Sequence, residues 1–283
     1  MIAAAALTQS EQAALLERAA ALVPEAIHLP LGRRVRHWLY ATLFLLLFIA
    51  CCIDLELSPS MLASGIGKMG DIIAAMVPPS SGGQLPRLLW AIAQTLGIAV
   101  LGTLLAVLFA IPLGLAAARN IVGNPVIHFV LRRFMDMFRG IPVLVWALIL
   151  VAAVGLGPIP GILAIAFADI PRLGKLFAEA LENVDTRQRQ SLQATGSGSL
   201  GVLRFGTIPQ ALPVCLSQCL YYLEQNFRAA AVVGVVGAGG IGFELEERIR
   251  IFAFDQVALI TILYIIAVGI LDIGSEKLRA RLT

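Results

Sequence analysis

The chain has 283 residues, 59% of them hydrophobic and only 14% charged, with a formal net charge of +3 and a mean hydropathy of +0.87. A soluble domain carries about 25% charged residues, so this composition excludes a single water-facing globule and makes the bilayer the expected solvent. The small positive charge sits beside apolar stretches; that pattern orients a chain in a membrane and gives no reason to expect nucleic acid as a partner.

Residues 1–37 are expected to form a cytoplasmic N-terminal segment. Thr8 and Glu11 fit a capping box ahead of Ala14, Leu15 and Leu16, and Pro24 closes the pattern, so a short amphipathic helix is expected there. No secretory leader is read: the first basic residue is Arg18, and no apolar stretch with a small-residue cleavage site follows.

Residues 38–283 are expected to form the membrane domain, an all-α polytopic bundle of about six crossings. A crossing needs roughly 20 apolar residues, and no charge occurs from Leu88 to Ala118 or from Gly140 to Ala168. The first span is placed from Trp38 to Ile53, followed by an aqueous connection from Glu56 to Pro86. The second lies within Leu88–Ala118. The third enters through the amphipathic stretch His128–Arg139 and turns apolar from Ile141 to Leu156. The fourth runs from Gly161 to Leu181 and carries Asp169. A polar loop spans Glu182–Phe205, the fifth span runs from Gln210 to Val236, and the sixth from Phe252 to Leu271.

Basic residues divide unequally between the two sides. One side holds most of them, including Arg33, Arg119, Arg132, Arg172, Lys175, Arg189 and Arg279; the other holds Lys68, Arg87, Arg248 and Arg250. Both termini are therefore expected in the cytoplasm. Cys51, Cys52, Cys215 and Cys219 lie in apolar helical context without further ligands nearby, which fits buried thiols and no metal site.

The loop after the fourth span reads Gln190-Ser-Leu-Gln-Ala194-Thr-Gly196 and continues to Thr207-Ile208-Pro209. It resembles the "EAA" loop of ABC importer permeases, whose pattern is Glu-Ala-Ala, three residues, Gly, nine residues, then Ile-x-Leu-Pro. Gly196 and Pro209 match with the right spacing and Ile208 stands in the Leu position; Gln190 replaces Glu and Gly206 replaces Ile. In that family the loop docks on the ATPase subunit. The resemblance makes residues 186–209 the coupling loop, with Gln190, Ala194, Gly196 and Pro209 its marker residues. Gly196 and Gly198 would permit turns with positive φ.

The fifth span continues Glu224-Gln-Asn226-Phe-Arg228 and ends Val236-Gly237-Ala-Gly239-Gly240-Ile-Gly242. This is similar to the phosphonate ABC-importer permease family, which carries Glu-x-Asn-x-Arg followed by Val-Gly-Ala-Gly-Gly-Ile-Gly. Ile111-Pro-Leu-Gly114, Arg133-Phe-Met-Asp136 and Val154-Gly-Leu-Gly-Pro158 add to the likeness, which covers about Trp90 to Arg279. It implies an ABC importer (MetI-like) permease fold in the bacterial inner membrane, paired with a second copy. Two ATP-binding subunits would bind below and a periplasmic substrate-binding protein above, and the cargo would be a phosphonate or related oxyanion such as phosphite or hypophosphite. Methionine or a quaternary amine is the rival cargo, and an ATP-independent secondary transporter is the rival class.

Neither Gly67-Lys68-Met69 nor Gly174-Lys175-Leu176 meets the Walker A requirement of Ser or Thr after the Lys. ATP hydrolysis is therefore expected in another polypeptide; no catalytic residue and no cofactor are assigned here. The glycine run satisfies a dinucleotide-binding pattern but ends an apolar span and lacks a βαβ unit, so close packing and a bend are expected instead. Glu224 and Arg228 stand at i, i+4 on one helix face. Either they neutralise each other and tie the fifth span to a neighbour, or Arg228 lines the pathway and meets a passing oxyanion. Asp169 is a candidate partner or gate element, and Asn226 is expected to make a packing hydrogen bond.

Overall fold

A computed structural model describes residues 31–55 and 58–281, and all regular structure among them is helical. The capping-box segment at Thr8–Glu11 lies outside the described residues. Backbone packing divides the chain into residues 1–71 and 72–283.

In the first unit, α1 (Leu31–Asp54) has 24 residues, a length of about 36 Å at 1.5 Å per residue. From Val35 to Leu55 every side chain except the half-buried Cys52 is exposed, as suits a helix whose apolar surface is covered by lipid. The exposed Cys51 departs from the expected buried thiol, and Cys215 and Cys219 are half-buried. α2 (Pro59–Ala75) begins in this unit, where an irregular aqueous connection was expected. Pro59 suits a first helical turn, where a missing N–H costs nothing. The apolar residues from Met61 to Ala75 then outweigh Gly65, Gly67 and Gly70.

The second unit contains α3 (Leu85–Ala117), α4 (Pro125–Arg139), α5 (Val143–Val154), α6 (Pro158–Glu182), α7 (Thr186–Ala194) and α8 (Ser199–Val202). After a wide π-type turn at Leu203–Thr207 come α9 (Ile208–Val233), a second such turn at Gly234–Ala238, α10 (Gly240–Arg250) and α11 (Phe254–Arg279). Among the described residues, α1, α3, the run Ser199–Ala238 that contains α9, and α11 are long and apolar enough to cross a bilayer. α4 and α5, the expected third span, are bent by 79° at a short break and add a fifth crossing if the pair is taken as one span. The break at Gly140-Ile141-Pro142 has a local cause: Pro142 removes an N–H and disfavours helix at the residue before it. α6 corresponds to the expected fourth span but is not among the helices long and apolar enough to cross by composition. It has 25 residues but carries Asp169, Arg172 and Lys175, which places it inside the bundle rather than against lipid.

α3 and α6 form the most extensive pair of the bundle. The seam on α3 is a stripe of small side chains, Ala99, Gly102, Thr103, Ala106, Ala110, Gly114 and Ala117, all buried. α6 answers with Gly161, Ala164, Ala168, Gly174 and Ala178. A Cβ on Gly102 would stand 2.8 Å from Ile165 Cγ2, and one on Gly114 2.8 Å from Phe177 Cβ. Small residues let two backbones approach, and in lipid, where no hydrophobic force draws helices together, that packing holds them. Ala106, Ala110, Leu173 and Phe177 form one core cluster of the seam, and Ile98, Ala99, Ile165, Phe227 and Ala230 bring α9 onto it.

Candidate coupling and translocation sites

The predicted coupling loop is a folded structure at the end of the bundle where α3 finishes and α9 begins. Asp185 caps α7 by accepting from Arg187 N at 2.8 Å. Gly196 then reverses the chain with φ +81°, while its N–H bonds to Gln193 O at 3.0 Å and Ser197 N to Leu192 O at 3.3 Å. Gly198 has φ −66°, so the positive φ expected there is absent and only Gly196 needs glycine. Gln190, Ala194, Gly196 and Pro209 are all exposed. Gly206 packs under Leu192: a Cβ there would lie 2.8 Å from Leu192 Cδ1, so that side chain would have to move. Arg189 Nη2 bonds to Asn120 O at 3.3 Å, and Gln210 Oε1 accepts from Asp185 N at 3.0 Å. The segment is thus tied to the α3–α4 turn and to α9, while Leu200 and Phe205 point outward at 80% and 67% exposure.

Beside it, Glu182 at the end of α6 bonds to Arg119 just after α3 and to Arg132 on α4. It accepts from Arg119 N at 2.8 Å and from Arg132 Nη2 at 2.7 Å, and Arg119 Nε bonds to His128 Nε2 at 2.8 Å.

In the middle of the bundle, α3, α6 and α9 share a buried polar network. Asp169 is 1% exposed. Its Oδ2 accepts from Asn226 Nδ2 at 2.7 Å and its Oδ1 from Arg172 Nη1 at 3.0 Å. Asn226 also donates to Thr103 Oγ1 at 2.9 Å, and that hydroxyl donates to Ala99 O at 2.7 Å. A carboxylate so deeply buried needs partners on both oxygens, and both are present. Asp169 therefore pairs with Arg172 and Asn226, and makes no recorded contact with Glu224 or Arg228.

Glu224 and Arg228 meet each other as their spacing predicts, and two residues of α11 complete the group. Arg228 Nη2 also bonds to Asp272 Oδ1 at 3.1 Å, and Arg279 Nη2 to Glu224 Oε2 at 3.1 Å. Two cations and two carboxylates thus join α9 to α11, with Glu224 12% and Arg228 40% exposed.

At the opposite end the glycine run makes the bend expected of it. Gly237, Gly239 and Gly240 have φ of +100°, +77° and +72°. α10 folds back and docks its first turn on α3: Gly240 N donates to Gln94 Oε1 at 2.9 Å and Ile241 N to Thr95 Oγ1 at 2.8 Å. A Cβ on Gly240 would stand 2.5 Å from Thr95 Oγ1. The backbone amides of a helix start, which have no partner within the helix, are thus satisfied by α3. Further along α10, the 3%-exposed Arg248 is held by Glu244 at 2.5 Å and Gln84 at 2.8 Å.

An open groove of about 250 Å³ between α3, α6 and α9 is lined by Ile111, Leu115, Phe177, Leu212 and Cys219; it offers nothing to an anion. Among the described residues no group of three or more His, Cys, Asp or Glu is placed to hold a metal ion.

Residues 110–282 match the family model described as "Binding-protein-dependent transport system inner membrane component". The chain belongs to this family. As a permease of that kind it is a multi-pass inner-membrane protein that works with an ATP-binding subunit and a substrate-binding protein, and ATP hydrolysis lies in the separate subunit. The permease is 34% identical over 248 residues to the putative phosphite transport system permease protein HtxC of Stutzerimonas stutzeri, covering 88% of each chain. It is 35% identical to the phosphite transport system permease protein PtxC of the same organism, covering 84% of this chain and 86% of that one. Its fold is similar to that of a chain in the inward-facing MetNI methionine ABC transporter, with TM-score 0.64 and 18% identity over 72% of the permease and all of that chain.

Sequence reasoning missed Arg172, Thr103, Asp272, Arg279, Gln94 and Thr95 as members of these networks. The basic-residue count places Arg172 on the cytoplasmic side and gives it no partner; in the structure it stands fifteenth of 25 residues along α6 and bonds to Asp169. Its position three residues after Asp169 was the available signal. The others are joined to their partners across 44 to 146 residues, and no local pattern announces such contacts.

Proposed function

We propose that the permease carries phosphite, a phosphonate or a related small phosphorus oxyanion, as the membrane subunit of an ATP-driven importer. The observation that carries this reading is the identity of 34–35% to two phosphite permeases along at least 84% of the permease and of each relative. Two copies form the path, each docking its α7–α8 segment on one ATPase subunit, and both termini lie in the cytoplasm. The exposure of Gln190, Ala194, Gly196 and Pro209 on a segment tied to α3 and α9 supports the docking. Movement of that segment switches the bundle between inward- and outward-open states, and the permease makes no covalent change in its cargo.

The four-charge group of Glu224, Arg228, Asp272 and Arg279 is a clamp between α9 and α11. An anion approaching Arg228 meets two carboxylates already bonded to it, so this guanidinium has little field left to offer. Asp169 is a structural acid of the same kind, fully bonded between α6 and α9.

The test is uptake of labelled phosphite and methylphosphonate by cells that lack their own systems and express the permease with the ATPase and binding protein of its own importer. Uptake is expected to need all three proteins and to stop with an ATPase-dead subunit. Methionine or quaternary-amine uptake, with no phosphorus oxyanion carried, would overturn the reading.

A further inference from the structure

Arg172 is a cation of the bundle outside the clamp, beside the buried Asp169. It lies near the middle of α6, a helix whose side chains are buried or half-buried except at Ile159 and Phe167. Its side chain is 28% exposed, whereas that of its partner Asp169 is 2% exposed. A cation inside a helical bundle turns to a cavity or a partner, and the residues on either side of Arg172 on α6, Pro171 and Leu173, are buried. Among the described residues Arg172 bonds through Nη1 alone; its Nε and Nη2 make no bond, and neither is sealed from solvent without a partner.

We propose that Arg172 is the residue that meets the passing oxyanion, with Asp169 and Asn226 as its positioning residues. The inference rests on the phosphorus-oxyanion reading above and names the contact within it. Asp169 takes one nitrogen of the guanidinium and fixes its plane. Asn226 occupies the second carboxylate oxygen, so the acid cannot rotate to take the whole fork. The remaining edge, Nε and Nη2, presents two parallel donors, the geometry that suits two oxygens of a tetrahedral oxyanion. Arg228 differs in charge balance: its Nη2 is held by two carboxylates, against one for Arg172. A neutral pair holding one directed free edge also suits transport, because it gives the anion a transient partner without a net charge to trap it. The same contact joins α3, α6 and α9 through Thr103, Asp169 and Asn226, so the helices that shift during access carry the donor with them.

The experiment uses the assembled importer in proteoliposomes with its binding protein, labelled phosphite as the probe, and uptake and ATP hydrolysis measured together. Arg172→Lys keeps the charge, and with it assembly, but loses the planar two-pronged edge that would face two oxyanion oxygens while Asp169 holds the third nitrogen. It is expected to assemble and hydrolyse ATP as wild type and to lose uptake about tenfold, the order expected when one charge-assisted hydrogen bond is lost. Asp169→Asn with Arg172→Gln leaves no lone buried charge, so a merely structural pair predicts restored uptake; the proposal predicts a complex that hydrolyses ATP without transport. Uptake by Arg172→Lys within twofold of wild type, or full uptake by the double variant, overturns the assignment of Arg172 and leaves the substrate reading intact. A wild-type complex that carries no phosphorus oxyanion removes the substrate reading and this inference with it.

Discussion

The clamp between α9 and α11 makes a prediction with a definite order. Arg228→Gln leaves Glu224 with Arg279 but strips Asp272 of its cation. Removing one partner of a buried pair costs about 3–5 kcal/mol, whereas exposed pairs contribute about 0–1 kcal/mol. Glu224 is 12% exposed, Arg228 40% and Asp272 41%, so the site lies between these limits and a loss of about 2 kcal/mol is expected. Arg228→Gln with Asp272→Asn leaves Glu224 paired with Arg279 and strands neither carboxylate, at a cost of about 1 kcal/mol. The double variant should therefore be more stable than Arg228→Gln alone, a coupling of about 1 kcal/mol or more in the double-mutant cycle. Melting of the purified importer in nanodiscs gives the order: wild type, then double, then single. Labelled phosphite uptake, normalised to assembled complex, should be at wild-type level in the double variant. A double variant that melts below the single one would refute the clamp. One that assembles fully yet carries nothing would return Arg228 to the pathway.

Three further outcomes follow from the geometry. Thr95→Val removes the acceptor of Ile241 N–H while keeping the side-chain shape, and a buried amide left without a partner costs about 1–3 kcal/mol. The melting temperature should fall, Thr95→Ser should restore it, and equal stability of all three would show that α10 does not depend on this cap. Gly196→Val forces a β-branched residue to φ +81°, at about 1–2 kcal/mol or more. It should weaken copurification with the ATPase, whereas Gly198→Ala, at φ −66°, should not; equal behaviour of the two would detach the coupling site from this turn. In a cysteine-free background, cysteines at Ser197 and Ser81 should react with an impermeant reagent from opposite sides of the membrane, and labelling of both from outside would sink the proposed orientation.

The sequence by itself determined the solvent, the helical class and the family. Charge-free stretches around 20–30 residues long leave no other fold in a bilayer, since a spanning backbone must satisfy its own polar groups. The turn at Gly196 and the helix start beside Pro209 were legible, because a turn with positive φ and a helix start are local demands. The i, i+4 pairing of Glu224 with Arg228 was legible for the same reason. Only the tertiary structure decided which partners each charge has. Arg228 finds Asp272 across 44 residues, and Asp169 finds Asn226 across 57; such contacts are set by the close approach of α3, α6, α9 and α11, not by local pattern. The break of the third span into α4 and α5 and the helix in place of the first long connection were likewise beyond a hydropathy reading, which measures transfer into lipid and carries no direction of the chain. Arg172 shows the limit most clearly. A count of basic residues assigns an arginine to the water on one side, and only the packing of α6 shows that this one lies within the bundle, held by a buried acid.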